Sequence, residues 1–280
     1  MLARCVASIR SALRPGDELI VVDSASVVPL GPIDGARVIR LDQPGASLAR
    51  NRGWRAASGS VVAFIDDDVW VDGGWAAAIE LACADAAFAT GRVSLPPGVE
   101  HVRPVAIMWG LSPRVLDLDT PTGDLGHSAN LAVRRDVLEE IGGFDELLGA
   151  GGRYRAAEDL DLMDRILLAG HLGRYEPDAL AYHDQWRSKW ELVKLDWSYG
   201  IGMGVRIAKL RRTNRARARR DLADALWAYG LRSVPHDAIR LYRFLTLTAL
   251  ARVAGTLTGI ARGLPVRVVD GLLQDGSDRR

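Results

Sequence analysis

Three consecutive carboxylates, Asp66, Asp67 and Asp68, follow the apolar run VVAFI at 61–65. Like charges this close raise one another's pKa, and a divalent cation relieves the strain. Carboxylate oxygens are hard ligands that suit Mg2+ or Mn2+, above all when substrate phosphates complete the coordination shell. The bland alternative is a solvated acidic turn. The buried strand read immediately before the triplet favours the metal reading. The glycine patterns of other phosphate binders are missing: there is neither GxxxxGK[ST] nor GxGxxG after a strand. This counts against a P-loop NTPase and a dinucleotide oxidoreductase.

A second candidate lies in EDLDLMDRILLAG, beginning at Glu158. On a helical wheel of ~100° per residue, Leu160, Leu162, Met163, Ile166 and Leu167 form one arc. Asp159 falls near its centre, while Glu158, Asp161, Asp164 and Arg165 fall opposite. An inward-facing carboxylate at a helix start is either a cap-like structural acid or a general base, and the wheel does not choose. His183 ends the run ALAYH, where an imidazole could join a metal shell or be structural. Trp186 and Trp190 follow at helical spacing; they could stack on a sugar or belong to the core.

These groups need a scaffold. Residues 2–13 read as a helix stopped by Pro15-Gly16, ELIVVDSAS as a buried strand ending at Asp23, and RVIRL (37–41) as a second strand. Residues 46–57 read as a helix, VVAFI as a third strand, and 73–87 as another helix. The alternation predicts a mostly parallel central sheet with helices on both faces, an α/β fold. Ligands of such sheets bind at the carboxyl ends of strands, so Asp23 and the Asp66–Asp68 triplet are expected on one edge. Residues 92–125 carry little periodicity. SANLAVRR (128–135) reads as a strand, DVLEEIGGF as a helix with a glycine cap, and ELLGAGGRYRAA as a mobile loop. Beyond Lys189 the chain reads as helical almost throughout, and there is no internal repeat.

The chain is nearly neutral, but residues 201–280 hold 16 Lys and Arg against 6 Asp and Glu, while residues 1–200 hold 20 against 29. An acidic body suits metal-bound ligands, and a basic tail suits an anionic surface. Residues 206–220 contain eight basic groups and no acid, and the stretches ALWAYGL and LYRFLTLTALARVAGTLTGIARGL follow. The last is interrupted by Arg243, Arg252 and Arg262, so the expectation is interfacial helices against an anionic membrane surface, not a span. A helical appendage that packs on the domain is the competing reading. Cys5 and Cys83 lack metal-ligand spacing, and a disulfide framework is not expected. The first residues contain no apolar signal-peptide core, and the expected location is cytoplasmic, peripheral at the inner face of the cell membrane.

Taken together, these stretches resemble the family 2 glycosyltransferases, of GT-A fold, from about residue 2 to 205. ELIVVDSAS is similar to the strand whose Asp, here Asp23, meets the nucleotide base. GASLARNRGWRAASG is similar to the helix around an Ala-Arg-Asn-x-Gly core, with Arg50 and Asn51. VVAFIDDDVW carries the Asp-x-Asp motif, and GHSANLAVRRDVLEEIGGFDE is similar to the acceptor-side strand and helix. AEDLDLMDRILLAG carries the Glu-Asp pair. The resemblance implies donor binding by Asp23, Arg50, Asn51, Asp66 and Asp67, and Mg2+ or Mn2+ held by Asp66, Asp68 and His183. It makes Asp159 the base of an inverting transfer, with Glu158 and Trp186 on the acceptor side and the loop GAGGR (149–153) closing over the donor. The partners implied are a nucleotide-diphosphate sugar and a glycan or lipid-linked acceptor of the cell envelope. The implied domains are 1–204, catalytic, and 205–280, a basic helical tail. One departure stands out: the family's usual apolar first strand is missing before the helix, and Met1 opens that helix directly. A nucleotidyltransferase or an inactive truncated homologue is the alternative. A nucleic-acid-binding protein is another class, against which the acidic body argues, so no nucleic-acid partner is expected.

Overall fold

Helix α1 (Leu2–Ala12) buries Cys5, Val6, Ile9 and Ala12, one stripe at helical spacing. The computed structural model describes residues 1–100, 104–227 and 243–275. These divide into two compact units. The first comprises Met1–Pro44, Leu48–Gly143 and Leu162–Trp186; the second comprises Gly45–Ser47, Phe144–Asp161 and the chain from Arg187 onward.

In the first unit, β1 (Ile20–Ser24) and β2 (Arg37–Leu41) form a two-stranded parallel sheet with Asp23 opposite Arg40. Helix α2 (Ala46–Ala56) follows. The larger sheet contains β3 (Val61–Phe64), β4 (Val69–Val71), β5 (Phe88–Ser94), β6 (Arg114–Leu116), β7 (Leu131–Arg134) and β8 (Gly173–His183). Its order is β3-β7-β5-β8-β4, and β6 also pairs with β8. Helix α3 (Trp75–Asp85) lies between β4 and β5 in sequence, and α4 (Arg135–Ile141) follows β7.

The α/β class is as expected, but the sheet is mixed, not mostly parallel. Among the described residues only β1/β2 and β5/β8 run parallel; β3/β7, β5/β7, β4/β8 and β6/β8 are antiparallel. The expectation assumed a helical crossover between successive strands. Between β5 and β7 the chain instead passes through β6 and two short 3-10 turns, which lets β7 return antiparallel. Strand β5 was missed because Gly91 interrupts its apolar run. A Cβ at Gly91 would stand 2.2 Å from the Ala179 carbonyl oxygen, and the β5/β8 register shifts there. Ser128–Asn130 form a 3-10 turn instead of continuing the strand. Asn130 accepts the Trp75 indole proton at 2.9 Å and donates to the Ala179 carbonyl at 2.7 Å, so its burial leaves its amide paired. Around it Val69, Val71, Trp75, Ile79, Ala132 and Ala181 form the core with Cys5 and Ile9. Cys5 and Cys83 are buried free thiols, both pushed up to about 12, chiefly by burial.

The second unit is built on α6 (Lys189–Leu210), α7 (Arg215–Leu226) and α8 (Arg243–Gly263), with a hairpin of β9 (Val268–Val269) and β10 (Leu272–Leu273). Ser188 and Glu191 form a capping box that starts α6. Gly200 and Gly204 on α6 face Gly255 and Gly259 on α8 so closely that an added Cβ would stand 2.1–2.4 Å from backbone oxygen of the other helix. Helix α8 carries Phe244–Gly263, 20 residues with mean hydropathy 1.4, long and apolar enough to cross a membrane by length and composition. Within it Arg252 is paired with buried Asp196 at 3.0 Å. Helix α6 runs through the expected 204/205 boundary without a break. The basic run is also less free than it reads. Arg206, Lys209 and Arg217 are buried, and Arg206 pairs with Asp221 at 2.9 Å.

Candidate donor site and candidate base

The triplet stands in the turn between β3 and β4 in the first unit. Asp66 Oδ1 accepts from Arg50 Nη2 at 2.7 Å. Asp68 is buried; its Oδ2 accepts from the Trp186 indole at 2.8 Å and its Oδ1 lies 3.3 Å from His183 Nε2. The Asp67 carboxyl is pushed above the usual carboxylate range by desolvation and by the charges of Asp68 and Asp66. Asp67 is exposed as a residue, so the neighbouring charges are the firmer cause. The turn thus concentrates negative charge at the surface, with one guanidinium beside it.

The antiparallel pairing of β4 with β8 sets Val69 opposite His183, which brings the residues just before β4 and just after β8 together. Gln185 holds the imidazole: its Nε2 donates to His183 Nδ1 at 2.8 Å, while its Oε1 accepts from Val105 N at 2.8 Å. With Nδ1 accepting, the neutral ring carries its proton on Nε2, directed at Asp68. In this arrangement His183 meets Asp68 through Nε2, the atom that would face an ion held by Asp68. Among the described residues no group of three or more His, Cys, Asp and Glu is arranged to hold a metal ion. Asp66 and Asp68 fit the other pattern by which Mg2+-like ions are held, one or two carboxylates completed by substrate phosphate oxygens.

Asp23 and Asn51 have partners outside the triplet. Asp23 is buried in the β1–β2 sheet, its Oδ1 accepting from Ser26 N and its Oδ2 from Leu30 N and Arg40 Nη1. These bonds, Leu30 first, hold its carboxyl well below the usual range. Asp23 shapes the loop at 25–30, and its strand lies outside the hydrogen-bonded sheet that carries the triplet. Asn51 is buried and accepts the Trp54 indole proton at 3.0 Å. Gly143, at φ +79, packs so close that a Cβ there would meet Asn51 Oδ1 at 2.5 Å.

Helix α5 (Glu158–Leu168) begins with Glu158, Asp159 and Asp161 in its first turn. The wheel reading of this helix is overturned. Glu158, Asp161, Asp164 and Arg165, read as the solvent side, are buried, and Asp159, read as the most inward, is only half-buried. The reason is that ion pairs and carbonyl contacts accept the polar side. Arg165 donates to the Ile141 and Gly143 carbonyls at 2.9 and 2.6 Å, closing the end of α4. Asp161 meets Lys209 Nζ at 2.6 Å. In the second unit, burial pushes the Tyr199 hydroxyl above its usual range; Arg252 and Arg187 oppose this, and the charges of Asp159 and Glu158 add to it. Sequence reasoning missed Gln185 and Lys209: Gln185 braces His183 through its tertiary contact with Val105, and Lys209 meets Asp145 and Asp161 only in the folded chain. Two hydrogen bonds tie the loop before α5: Ala46 N donates to the Ala150 carbonyl and Ser47 Oγ to the Leu148 carbonyl, both at 2.8 Å. Gly149, at φ +90, leaves room for Ser47 Oγ and Glu158. Trp186 and Trp190 are exposed and not core.

The family model of glycosyl transferase family 2 matches residues 1–142. A pre-mycofactocin glycosyltransferase of Mycobacterium tuberculosis, found in two strains, is 34% identical over 198 residues, covering 65% of this chain and 40% of that protein. The chain thus spans about two fifths of the length of the curated relatives it matches. Among solved structures, the mannosyltransferase PcManGT from Pyrobaculum calidifontis, in complex with GDP-Man and Mn2+, superposes with a TM-score of 0.55 at 18% identity, covering 92% of this chain and 83% of that one. S. aureus TarS 1-349 in complex with UDP-GlcNAc gives 0.52 at 16% identity, covering 97% and 91%. At these identities the likeness is one of fold. The match to the family model over half of the sequence, on a scaffold of the same fold, establishes that this chain belongs to glycosyl transferase family 2.

Proposed function

We propose that the chain transfers a sugar from a nucleotide-diphosphate sugar to an acceptor hydroxyl, with inversion at the anomeric carbon. The observation that carries this reading is the turn at Asp66–Asp68, where crowded carboxylates stand with Arg50, Trp186 and His183 at the strand ends of a family 2 chain. Asp66 and Asp68 would hold Mg2+ or Mn2+, which when bound neutralises charge on the departing nucleoside diphosphate. Arg50 supplies further positive charge for the diphosphate, and Trp186 and His183 keep Asp68 oriented. Asp23 acts by holding the loop at 25–30 for the base, and Asp67 contacts the donor. Asn51 supports that binding from the core by fixing α2. Asp159 accepts the proton of the acceptor hydroxyl as its oxygen attacks C1 and the bond to the diphosphate oxygen breaks. Glu158 and Trp186 serve the acceptor side. The function divides as 1–204 for transfer and 205–280 for docking, although the chain packs without a break there. The test is release of nucleoside diphosphate from a panel of nucleotide sugars by the full chain with Mn2+. One donor should stand out, and release should stop in excess chelator. Release of pyrophosphate from nucleoside triphosphates instead would identify a nucleotidyltransferase.

The tail carries a docking role in this reading, toward an anionic membrane surface where a lipid-linked acceptor resides. Leu247, Leu250 and Leu257 are exposed along α8 and Leu264 just beyond it, and Arg211, Arg212, Arg215, Arg219, Arg220 and Arg262 are exposed as well. Apolar side chains with flanking arginines match the chemistry of an interfacial helix. Truncation at residue 204 would cut α6, so the variant of choice is the full chain with Leu250→Glu and Leu257→Glu. Binding to anionic liposomes at low salt should fall by at least about tenfold, since each buried leucine contributes ~1.5–3 kcal/mol. Equal binding of parent and variant, or equal binding to neutral liposomes, would refute the docking role.

A further inference from the structure

Lys209 is the last lysine of α6 and reads in sequence as part of a basic run. In the structure it is buried, and its ammonium stands between two buried carboxylates. Its Nζ lies 2.7 Å from Asp145 Oδ2 and 2.6 Å from Asp161 Oδ1. Asp145 is further engaged, its Oδ2 accepting from Leu273 N at 2.8 Å and its Oδ1 from Leu147 N at 3.2 Å. One cation thus joins the end of α6, the loop before α5, the C-terminal hairpin and the first turn of α5.

A charge buried this deeply is retained only where its partners are well placed. Here it reaches the turn that carries Asp159. Asp161 lies two residues beyond Asp159, and its amide donates to the Ala157 carbonyl at 3.0 Å, so both residues share one rigid turn. A ~200° step around the helix separates their side chains. Holding Asp161 inward by an ion pair therefore fixes the rotation of the turn and with it the direction in which Asp159 is presented.

We propose that Lys209 is a positioning residue for transfer: through Asp161, and braced by Asp145, it sets the orientation of the first turn of α5 and hence of the Asp159 carboxylate. This rests on the reading of Asp159 as the base. Lys209→Met leaves two buried carboxylates without a counter-charge and is expected to unfold at lower temperature. Asp161→Asn keeps Lys209 paired with Asp145 and is the discriminating variant. In the full chain, Asp161→Asn should melt close to the parent and bind nucleoside diphosphate with Mn2+ within about twofold of it, while kcat falls about ten- to a hundredfold at little-changed donor KM. Amide hydrogen exchange at residues 158–162 should quicken at least about tenfold, with α6 and α8 unaffected. Unchanged exchange at 158–162, or a rate that falls only in step with the folded fraction, overturns the proposal. So does an Asp159→Asn variant of parental activity, and that result alone also removes the base reading. If Asp159→Asn is inactive and Asp161→Asn fully active, the base stands and the positioning role falls.

Discussion

Asp159→Asn is expected to lower turnover by about 10²- to 10⁴-fold, the range for loss of a general base. The amide keeps the size of the side chain and its ability to accept from Leu160 N, which Asp159 Oδ1 does at 2.8 Å, but it cannot take up a proton under these conditions. Nucleoside diphosphate affinity, measured by calorimetry with Mn2+, should be little changed, because the group acts in the transition state and not in donor binding. The base reading is abandoned if this variant turns over at a rate near the parent's. The half-buried position of Asp159 does not by itself make it a base; the proposal rests on its place in the Glu-Asp pair.

Asp66→Ala and Asp68→Ala are expected to abolish metal-dependent binding of nucleoside diphosphate, a loss of at least about hundredfold, since removing even an outer partner of a metal ligand typically costs ten- to a hundredfold. The parent in excess chelator should behave like these variants. His183→Asn separates the two roles available to the imidazole. As a hydrogen-bond partner of Asp68 it should cost about tenfold, and as a direct ligand it should cost as much as Asp68→Ala. Both aspartate variants should stay folded, because relieving a crowd of like charges removes repulsion from the native state. Undiminished calorimetric binding in either aspartate variant would rule out the triplet as the donor centre.

Much of the scaffold was legible because it rests on local rules. The helix at residues 2–12, the strand at 37–41 and the helix at 46–56 match their apolar spacing almost residue for residue. The strand β5 was not legible, since Gly91, which a strand pattern penalises, is required there by the approach of the Ala179 carbonyl. Strand direction was not legible either. Parallel and antiparallel strands have the same period-two pattern, and only the route of the chain between 95 and 130 decides it.

At the site, the sequence by itself determined that three carboxylates follow a strand, that a Glu-Asp pair opens a helix, and that a histidine ends another strand. These are facts of sequence order and local periodicity, and the motifs they form carry the resemblance to the family. Tertiary structure alone decided what each charge meets. It turned Asp23 and Asn51 inward, committed His183 to Asp68 and Gln185, and took Arg206 and Lys209 out of the basic run. A helical wheel ranks faces by hydrophobicity on the assumption that charges seek water. That assumption fails on α5, where Asp161 and Arg165 find their partners in Lys209 and in the carbonyls at the end of α4, groups 48 and 22–24 residues away along the chain. Whether a charge is buried depends on the counter-charge or hydrogen-bond partner brought to it, and in this chain folding alone brings those partners together.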